Sequence, residues 1–143
     1  MTPEERARRS AEAMWADDRA SKWVGMRLEE VGPGYARLSL EVRDDHLNGH
    51  GICHGGVIFT LADSAFAFAC NSHNRVAVAQ HNSISYLSPG KGGETLTAEA
   101  REVSLSGRSG LTDVTVKGGD GRTVAMFRGA SRQIGGTHFE EEE

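Results

Sequence analysis

The sequence predicts an α+β domain in which an antiparallel sheet wraps around one long central helix. Residues 54–71 read HGGVIFTLADSAFAFACN, an apolar run rich in Ala, Leu and Phe. The run is too long for a typical strand and therefore indicates a buried helix. One strand-like run precedes it and four follow it, separated by glycine-rich turns. A helix inserted after the first strand and followed by a four-strand meander is typical of a sheet packed around a helix.

The flanking elements are predicted from their apolar patterns. Residues 3–20 begin with Pro3 and are rich in Ala, Arg and Glu, which predicts an additional N-terminal helix. Its apolar stripe, which we expect to pack on the core, comprises Ala7, Ala11, Met14 and Trp15. Residues 35–42, YARLSLEV, alternate apolar and polar side chains as a half-buried strand does. The later strands are predicted over 76–87, 94–105, 109–118 and 122–134.

The domain organisation follows from length and composition. At 143 residues the chain has the size of one ordinary domain with its own core. The sequence has no repeat, low-complexity linker or boundary to a second domain. The predicted organisation is an N-terminal helix over 1–20, one domain over 21–136 and a disordered acidic tail over 137–143.

Charge and cysteine content restrict the partners and the compartment. A net charge of −4 and the acidic end disfavour nucleic acid as a partner. Neither a signal peptide nor the roughly 20 apolar residues of a membrane span is present, so we expect no membrane partner. Cys53 and Cys70 lie about 25 Å apart if the segment is helical, which predicts free thiols. Free thiols are typical of a reducing cytoplasm, where we expect this protein.

Several motifs for common enzyme classes are absent. The sequence contains no G-x-S-x-G elbow, no G-x-x-x-x-G-K-[ST] phosphate loop and no G-x-G-x-x-G between a strand and a helix. Serine hydrolase, P-loop and dinucleotide-binding functions are therefore disfavoured.

Three histidines raise the alternative of a metal site. His46, His50 and His54 are spaced by four, which would align three ligands on one face of a helix. Gly49 and Gly51 lie among them and disfavour a helix. We therefore favour loop histidines and expect no metal, with a metal site as the minor alternative.

Asp63 is the one charged residue in the apolar helix, and it suggests catalysis. Burying an ionised carboxylate without partners costs several kcal/mol or more, and a position so far inside a helix cannot act as a cap. Its helical neighbours, all small or aromatic except one threonine, are Gly56, Phe59, Thr60, Phe66, Ala67 and Cys70. This stripe suggests a pocket lining. The alternative is a structural carboxylate that accepts hydrogen bonds from Ser64 or from a neighbouring strand.

The helix start offers a second functional group. His54, Gly55 and Gly56 would expose unpaired N–H groups at the positive end of the helix dipole, which suits an oxyanion hole. The alternative is a tight loop-to-helix turn. Gly55 and Asp63 are about 12 Å apart at ~1.5 Å of rise per residue, so they cannot touch one carbonyl. If both act on one substrate, two copies of the chain must form composite sites.

These segments resemble a known family. N48-G-H-G-I-C-H54-G-G and L61-A-D-S-A-F-A-F-A-C-N71 resemble the hot-dog-fold thioesterases of phenylacetic acid degradation, the PaaI type. The resemblance runs from about Trp15 to the last strand, with A125-M-F-R-G and R132-Q-I-G-G. It implies a hot-dog fold and hydrolysis of acyl-CoA thioesters, typically hydroxylated phenylacetyl-CoA. It also implies a homotetramer built from two dimers, with no metal or prosthetic group.

The resemblance also implies the catalytic residues. The essential carboxylate falls on Asp63 and the backbone oxyanion donor on Gly55, with His54 and Asn48 as flanking polar residues. Asp63 would either attack the thioester carbonyl or deprotonate the attacking water, and the sequence leaves this choice open. The alternatives are an Asn-Gly turn at Asn48 and a loop-packing role for His54.

Five further residues are candidates for substrate binding. Ser83 falls where the family often has a hydroxyl near the acyl group, while Leu47 and Phe66 are candidates to contact an aromatic acyl group. Arg108 and Arg128 are candidates for the CoA phosphates. The alternatives are a structural strand serine, ordinary core residues and solvated surface charges.

Two other functions are alternatives to thioester hydrolysis. A hot-dog enoyl-CoA hydratase or dehydratase would pair a histidine with an acid, and no histidine lies beside Asp63 in the helix. A noncatalytic acyl-CoA-binding protein would need no buried carboxylate. Both observations favour hydrolysis.

Overall fold

A six-stranded antiparallel sheet and a central helix form the body of the protein. The computed structural model describes residues 1–142. The helices are α1 (Pro3–Asp17), α2 (Arg19–Val24) and α3 (Gly55–Cys70). The strands are β1 (Arg27–Gly32), β2 (Tyr35–Glu41), β3 (Ala77–Tyr86), β4 (Thr95–Ser106), β5 (Ser109–Lys117) and β6 (Thr123–Gln133). The predicted α+β class and N-terminal helix are confirmed.

The central helix α3 packs across one face of the sheet and contacts all six strands. Its buried side chains include Leu61, Phe66 and Phe68. They meet aliphatic residues on the inner faces of the strands, among them Ala36, Leu38, Leu40, Ala98, Ala100, Val114 and Val116. Within residues 1–142, neither α3 nor any other helix is long and apolar enough to span a membrane.

The strand order corrects the predicted four-strand meander. The sheet runs β1-β2-β4-β5-β6-β3, so β3 pairs with β6 and not with β4. The connection over 87–94 is too long for a tight hairpin, and backbone hydrogen bonds to other parts of the chain fix its path. Leu87 N donates to Val124 O at 2.8 Å, and Cys53 N donates to Gly90 O at 2.8 Å. These bonds carry the chain past the end of the sheet, and leave β3 as an edge strand.

Two local features differ from the prediction. The predicted helix over 3–20 breaks at Asp18, because the Asp18 side chain accepts the Ser21 N–H at 2.9 Å and starts α2. The sequence prediction also lacked β1, a mostly exposed edge strand that pairs with β2. Its charged residues mask the alternation on which strand prediction depends.

The C-terminal segment, predicted from the sequence to be a disordered tail, makes several contacts with the body of the protein. Asn74 Oδ1 accepts the N–H groups of His138 and Phe139 at 2.9 and 3.2 Å. Glu141 forms an ion pair with Arg6 of α1 at 2.8 Å. These contacts place His138, Phe139 and Glu141 against the body of the protein, and Glu143 lies outside the described residues.

The two cysteines are free, as predicted, and both are buried. Burial raises the pKa of Cys53 to about 11 and that of Cys70 to about 12. Both are therefore neutral thiols near pH 7 and pack as small apolar groups.

Candidate active site

The first turn of α3 presents one free N–H group. His54 is the N-cap, and its Nδ1 accepts the Gly56 N–H at 2.9 Å. Val57 N and Ile58 N donate to His54 O at 2.9 and 3.2 Å. The Gly55 N–H finds no acceptor among residues 1–142. It can therefore donate to an oxygen placed at the positive end of the helix dipole.

Tyr86 of β3 holds this helix start in place. Its hydroxyl donates to Gly55 O at 2.9 Å. A Cβ on residue 55 would lie 3.3 Å from the Tyr86 ring, so the close approach favours glycine there. Sequence reasoning missed Tyr86. An aromatic residue at the end of a predicted strand gives no signal of which loop or helix it contacts.

A buried histidine supports the loop that leads into α3. His46 Nδ1 accepts the Arg43 N–H at 2.9 Å, and its Nε2 lies 2.7 Å from Val24 O. His54 N donates to His46 O at 2.8 Å. His46 therefore ties the end of α2 to the loop. Residues 1–142 contain no group of three or more His, Cys, Asp or Glu placed to hold a metal ion.

Asn48 lies beside the helix start and forms an Asx turn. Its Oδ1 accepts the His50 N–H at 2.9 Å, so the predicted Asn-Gly turn is present. The residue also lines a groove of about 320 Å³ that includes Gly55 and Tyr86. Because Oδ1 serves the loop, its amide NH₂ is the group free to act on a ligand.

Asp63 lies two turns further along α3 and is partly buried. Asn82 of β3 donates to its carboxylate, with Nδ2 3.2 Å from Oδ1. Burial raises the pKa of Asp63, and the hydrogen bond from Asn82 opposes this change. Ser64, considered as a partner from the sequence, instead lies 2.8 Å from the hydroxyl of Ser21. A neighbouring strand therefore supplies the hydrogen bond.

The two groups occupy separate positions on the same helix. Eight residues separate Gly55 from Asp63, which is about 12 Å along the axis at ~1.5 Å per residue. Each chain therefore carries two separate candidate half-sites, and the first, at the start of α3, comprises Gly55, His54 and Asn48. The second half-site is at mid-helix, with Asp63 and Asn82.

Ser83 and Arg128 lie outside both half-sites. Side chains alternate along a strand, and Asn82 faces α3, so Ser83 faces away from the helix. Ser83 pairs in register with Arg128 on the outer face of the sheet. Arg128 forms two hydrogen bonds with Asp113 there, at 2.6 and 2.9 Å, and holds the pKa of that carboxyl below its usual range. Within one chain, both residues therefore lie on the face of the sheet opposite α3 and Asp63.

Phe66 occupies a core position that favours the packing alternative. It is 1 % exposed, and a Cβ on Gly129 would lie 2.5 Å from its ring. Its ring centroid is 5.7 Å from that of Phe127. A ligand cannot reach Phe66 without displacing these neighbours. Leu47 is partly buried beside Asn48 and packs against the core.

Arg108 lies in the β4–β5 turn, at the edge of a polar cleft of about 560 Å³. Arg6, His73 and Arg75 also line this cleft, together with Glu141. Arg6 pairs with Glu141 at 2.8 Å, and His73 bonds to Glu102 at 2.9 Å. No side-chain ion pair holds Arg75 or Arg108 within residues 1–142.

Comparison with known proteins identifies the class. A family model described as the thioesterase superfamily matches residues 50–125, and the chain belongs to this family. The sheet wrapped around α3 is the hot-dog fold of these thioesterases.

Two relatives extend this identification. The chain is 42% identical to the acyl-coenzyme A thioesterase PaaI of Escherichia coli K12, over 92% of this chain and 94% of that protein. The structure of E. coli PaaI, from the phenylacetic acid degradation operon, matches with a TM-score of 0.93 at 40% identity, covering 95% of this chain and 99% of that chain. A Streptococcus mutans protein bound to acetyl-CoA matches with a TM-score of 0.76 at 32% identity, covering 79% and 91%.

Proposed function

We propose that this thioesterase hydrolyses aryl-type acyl-CoA thioesters, such as phenylacetyl-CoA and its hydroxylated forms, in phenylacetate catabolism in the cytoplasm. The observation that carries the proposal is the pairing of a free Gly55 N–H with a partly buried Asp63 on one helix. The 42% identity to an acyl-CoA thioesterase supports the same substrate class. The relative bound to acetyl-CoA supports an acyl-CoA ligand.

The proposed active form is a dimer with two composite sites. The Gly55 half-site of one protomer faces the Asp63 half-site of its partner, since one chain holds them about 12 Å apart. The free edge of β3 supports a place for this interface. Val78 and Tyr86 on that strand are 43% and 50% exposed, which is unusual for large apolar side chains. Two such dimers form the proposed tetramer.

The proposed chemistry uses groups of the protein alone. The Gly55 N–H donates to the thioester carbonyl oxygen and stabilises the negative charge that develops there. Asp63 either accepts a proton from the attacking water or attacks the carbonyl itself. Water supplies the oxygen of the free acid, and CoA leaves as its thiol. One oxyanion donor of this kind contributes roughly 10²–10³ in kcat.

The CoA phosphates need cations near the site. Arg108 was proposed for this role from the sequence, and its position beside Arg6 and Arg75 in one cleft supports it. Arg128 is a weaker candidate, because Asp113 already binds its guanidinium. Leu47, beside Asn48, is the better-placed of the two candidate acyl contacts.

The test is release of free CoA thiol from phenylacetyl, hydroxyphenylacetyl, benzoyl and straight-chain thioesters. We expect the wild type to favour the aryl substrates and Asp63→Asn to lose at least 10³-fold in kcat. Asp120→Asn, in the exposed β5–β6 turn, is the matched control. Hydration of enoyl-CoA without thiol release would indicate the hydratase alternative. Tight binding without turnover would indicate the acyl-CoA-binding alternative.

A further inference from the structure

The contact between Asn82 and Asp63 leaves one polar atom without a partner. Asn82 Nδ2 donates to Asp63 Oδ1 at 3.2 Å. The other end of the amide, Asn82 Oδ1, is buried and accepts no hydrogen bond from residues 1–142. A buried acceptor without a donor destabilises a folded protein. An apolar side chain of similar size would avoid this cost.

The carboxylate explains why the amide adopts this orientation. An ionised carboxylate only accepts hydrogen bonds, so the NH₂ end of the amide must face it. Turning the amide round would place two oxygen atoms against each other. The hydrogen bond to Asp63 therefore leaves Asn82 Oδ1 buried without a donor.

No charged side chain of residues 1–142 supplements this hydrogen bond. On α3 itself, Asp63 is the one charged residue, and the neighbouring thiol of Cys70 is neutral. The residues of β2 and β5 that lie beneath the helix carry no charge, and the one buried hydroxyl among those of β5, on Thr112, forms no hydrogen bond with residues 1–142. On β4, Glu102 binds His73, and on β6, Arg128 binds Asp113 on the outer face.

The α2 helix and β3 add no charge. Ser21 of α2 binds Ser64. His81 and Ser83 precede and follow Asn82 on β3, so their side chains face the opposite side of the strand. Asn82 is therefore the side chain that both orients Asp63 and opposes the effect of burial on its ionisation.

We propose that Asn82 is a positioning residue for the reaction, which fixes the Asp63 carboxylate and keeps it ionised at the cost of a buried, unpaired amide oxygen. This inference rests on the proposed thioesterase function. The residue adjacent to it, Ser83, was the sequence-based candidate on this strand. Asn82, which the sequence did not single out, is the residue of this strand that contacts Asp63.

Two variants of similar shape test the role. Asn82→Leu removes the whole amide, and Asn82→Asp keeps the shape but cannot donate when ionised. We expect each to lower kcat by about tenfold or more with little change in KM, because the lost contact acts on Asp63 and not on the substrate. We also expect the acid limb of kcat/KM to move to higher pH, further for Asn82→Asp because two carboxylates then share the site. Ser85→Ala, three residues along β3 on the outer face, should leave both unchanged.

The thermal stability of Asn82→Leu distinguishes a positioning role of Asn82 from a packing role. Asn82→Leu removes the unpaired oxygen but also the donor to the ionised carboxylate. Its Tm should therefore equal or exceed that of the wild type in acid, where Asp63 is protonated, while its kcat near neutral pH falls. A residue that merely packs would lose both. If Asn82→Leu fails to fold, Asn82→Asp provides the same comparison of kcat and pH profile.

Carboxyl ¹³C NMR gives a reading independent of turnover. The Asp63 carboxyl should titrate at higher pH in either Asn82 variant than in the wild type. Unchanged kcat, acid limb and Asp63 titration in both variants would overturn the role of Asn82. A wild type that releases no thiol from any acyl-CoA would instead refute the proposed function, and the titration would still decide whether Asn82 keeps Asp63 ionised.

Discussion

Asp63 carries a charge that burial disfavours. It lies within an apolar helix, where burial raises its pKa and one amide provides its hydrogen bond. A carboxylate whose pKa rises on folding binds a proton more tightly in the native state than in the unfolded state. Its ionisation therefore lowers the free energy of unfolding as the pH rises. Proteins commonly retain such groups where function requires them.

We expect the folded protein to become more stable when Asp63 is neutralised. Asp63→Asn should raise Tm at pH 7, because a neutral amide is easier to bury than a carboxylate. The gain should shrink as the pH falls through the range just above the usual aspartate pKa, where Asp63 itself becomes protonated. Thermal unfolding of both proteins between about pH 3 and pH 8 measures this. A variant that is less stable at pH 7 would indicate that Asp63 stabilises the fold.

At the scale of secondary structure, contacts with His54 and Tyr86 fix the start of α3. His54 caps Gly56, Tyr86 binds Gly55 O, and the Gly55 N–H remains free. A side chain on residue 55 would lie 3.3 Å from the Tyr86 ring. The helix start and the end of β3 are therefore coupled through this one contact.

This coupling predicts the effect of Gly55→Ala. The added methyl group should displace Tyr86 or the helix start and misplace the N–H, lowering kcat by roughly 10²-fold. Gly49→Ala is the matched control, because a Cβ there has no neighbour within 4 Å. Thiol release and thermal unfolding of both variants provide the measurement. Equal activity of Gly55→Ala and the wild type would exclude this N–H as the oxyanion donor.

On strand β3, a difference of one residue position decides which face of the sheet a side chain lies on. Asn82 and Tyr86 face α3, whereas Ser83 between them faces the outer side of the sheet. Because the period of a strand is two, moving a candidate by one residue transfers it to the other face. The strand was predicted correctly, but the face of each residue depends on its pairing with β6.

At the scale of the whole molecule, composite sites predict complementation between two inactive proteins. A dimer of Asp63→Asn with Gly55→Ala has one site with both defects and one with neither. Co-refolding the two variants in equal amounts should therefore restore roughly a quarter of wild-type activity, since half of the dimers are mixed and each has one intact site of two. Thiol release before and after co-refolding measures the gain.

The result distinguishes composite sites from sites within one chain. Each variant refolded alone should remain inactive, and this is the control. If mixing restores no activity while size-exclusion chromatography shows mixed dimers, each site lies within one chain. That outcome would contradict the proposal that Gly55 and Asp63 of different protomers act on one substrate.

The sequence by itself determined the α+β class, the central helix, the two free thiols and the positions of Gly55 and Asp63 on one helix. These follow from local periodicity and from the fixed rise of a helix, which distant residues do not alter. The tertiary structure alone decided that β3 joins β6, that Asn82 rather than Ser83 meets Asp63, and that Tyr86 holds the helix start. Strand order and the facing of side chains depend on contacts between residues far apart in the chain, and no local pattern encodes them.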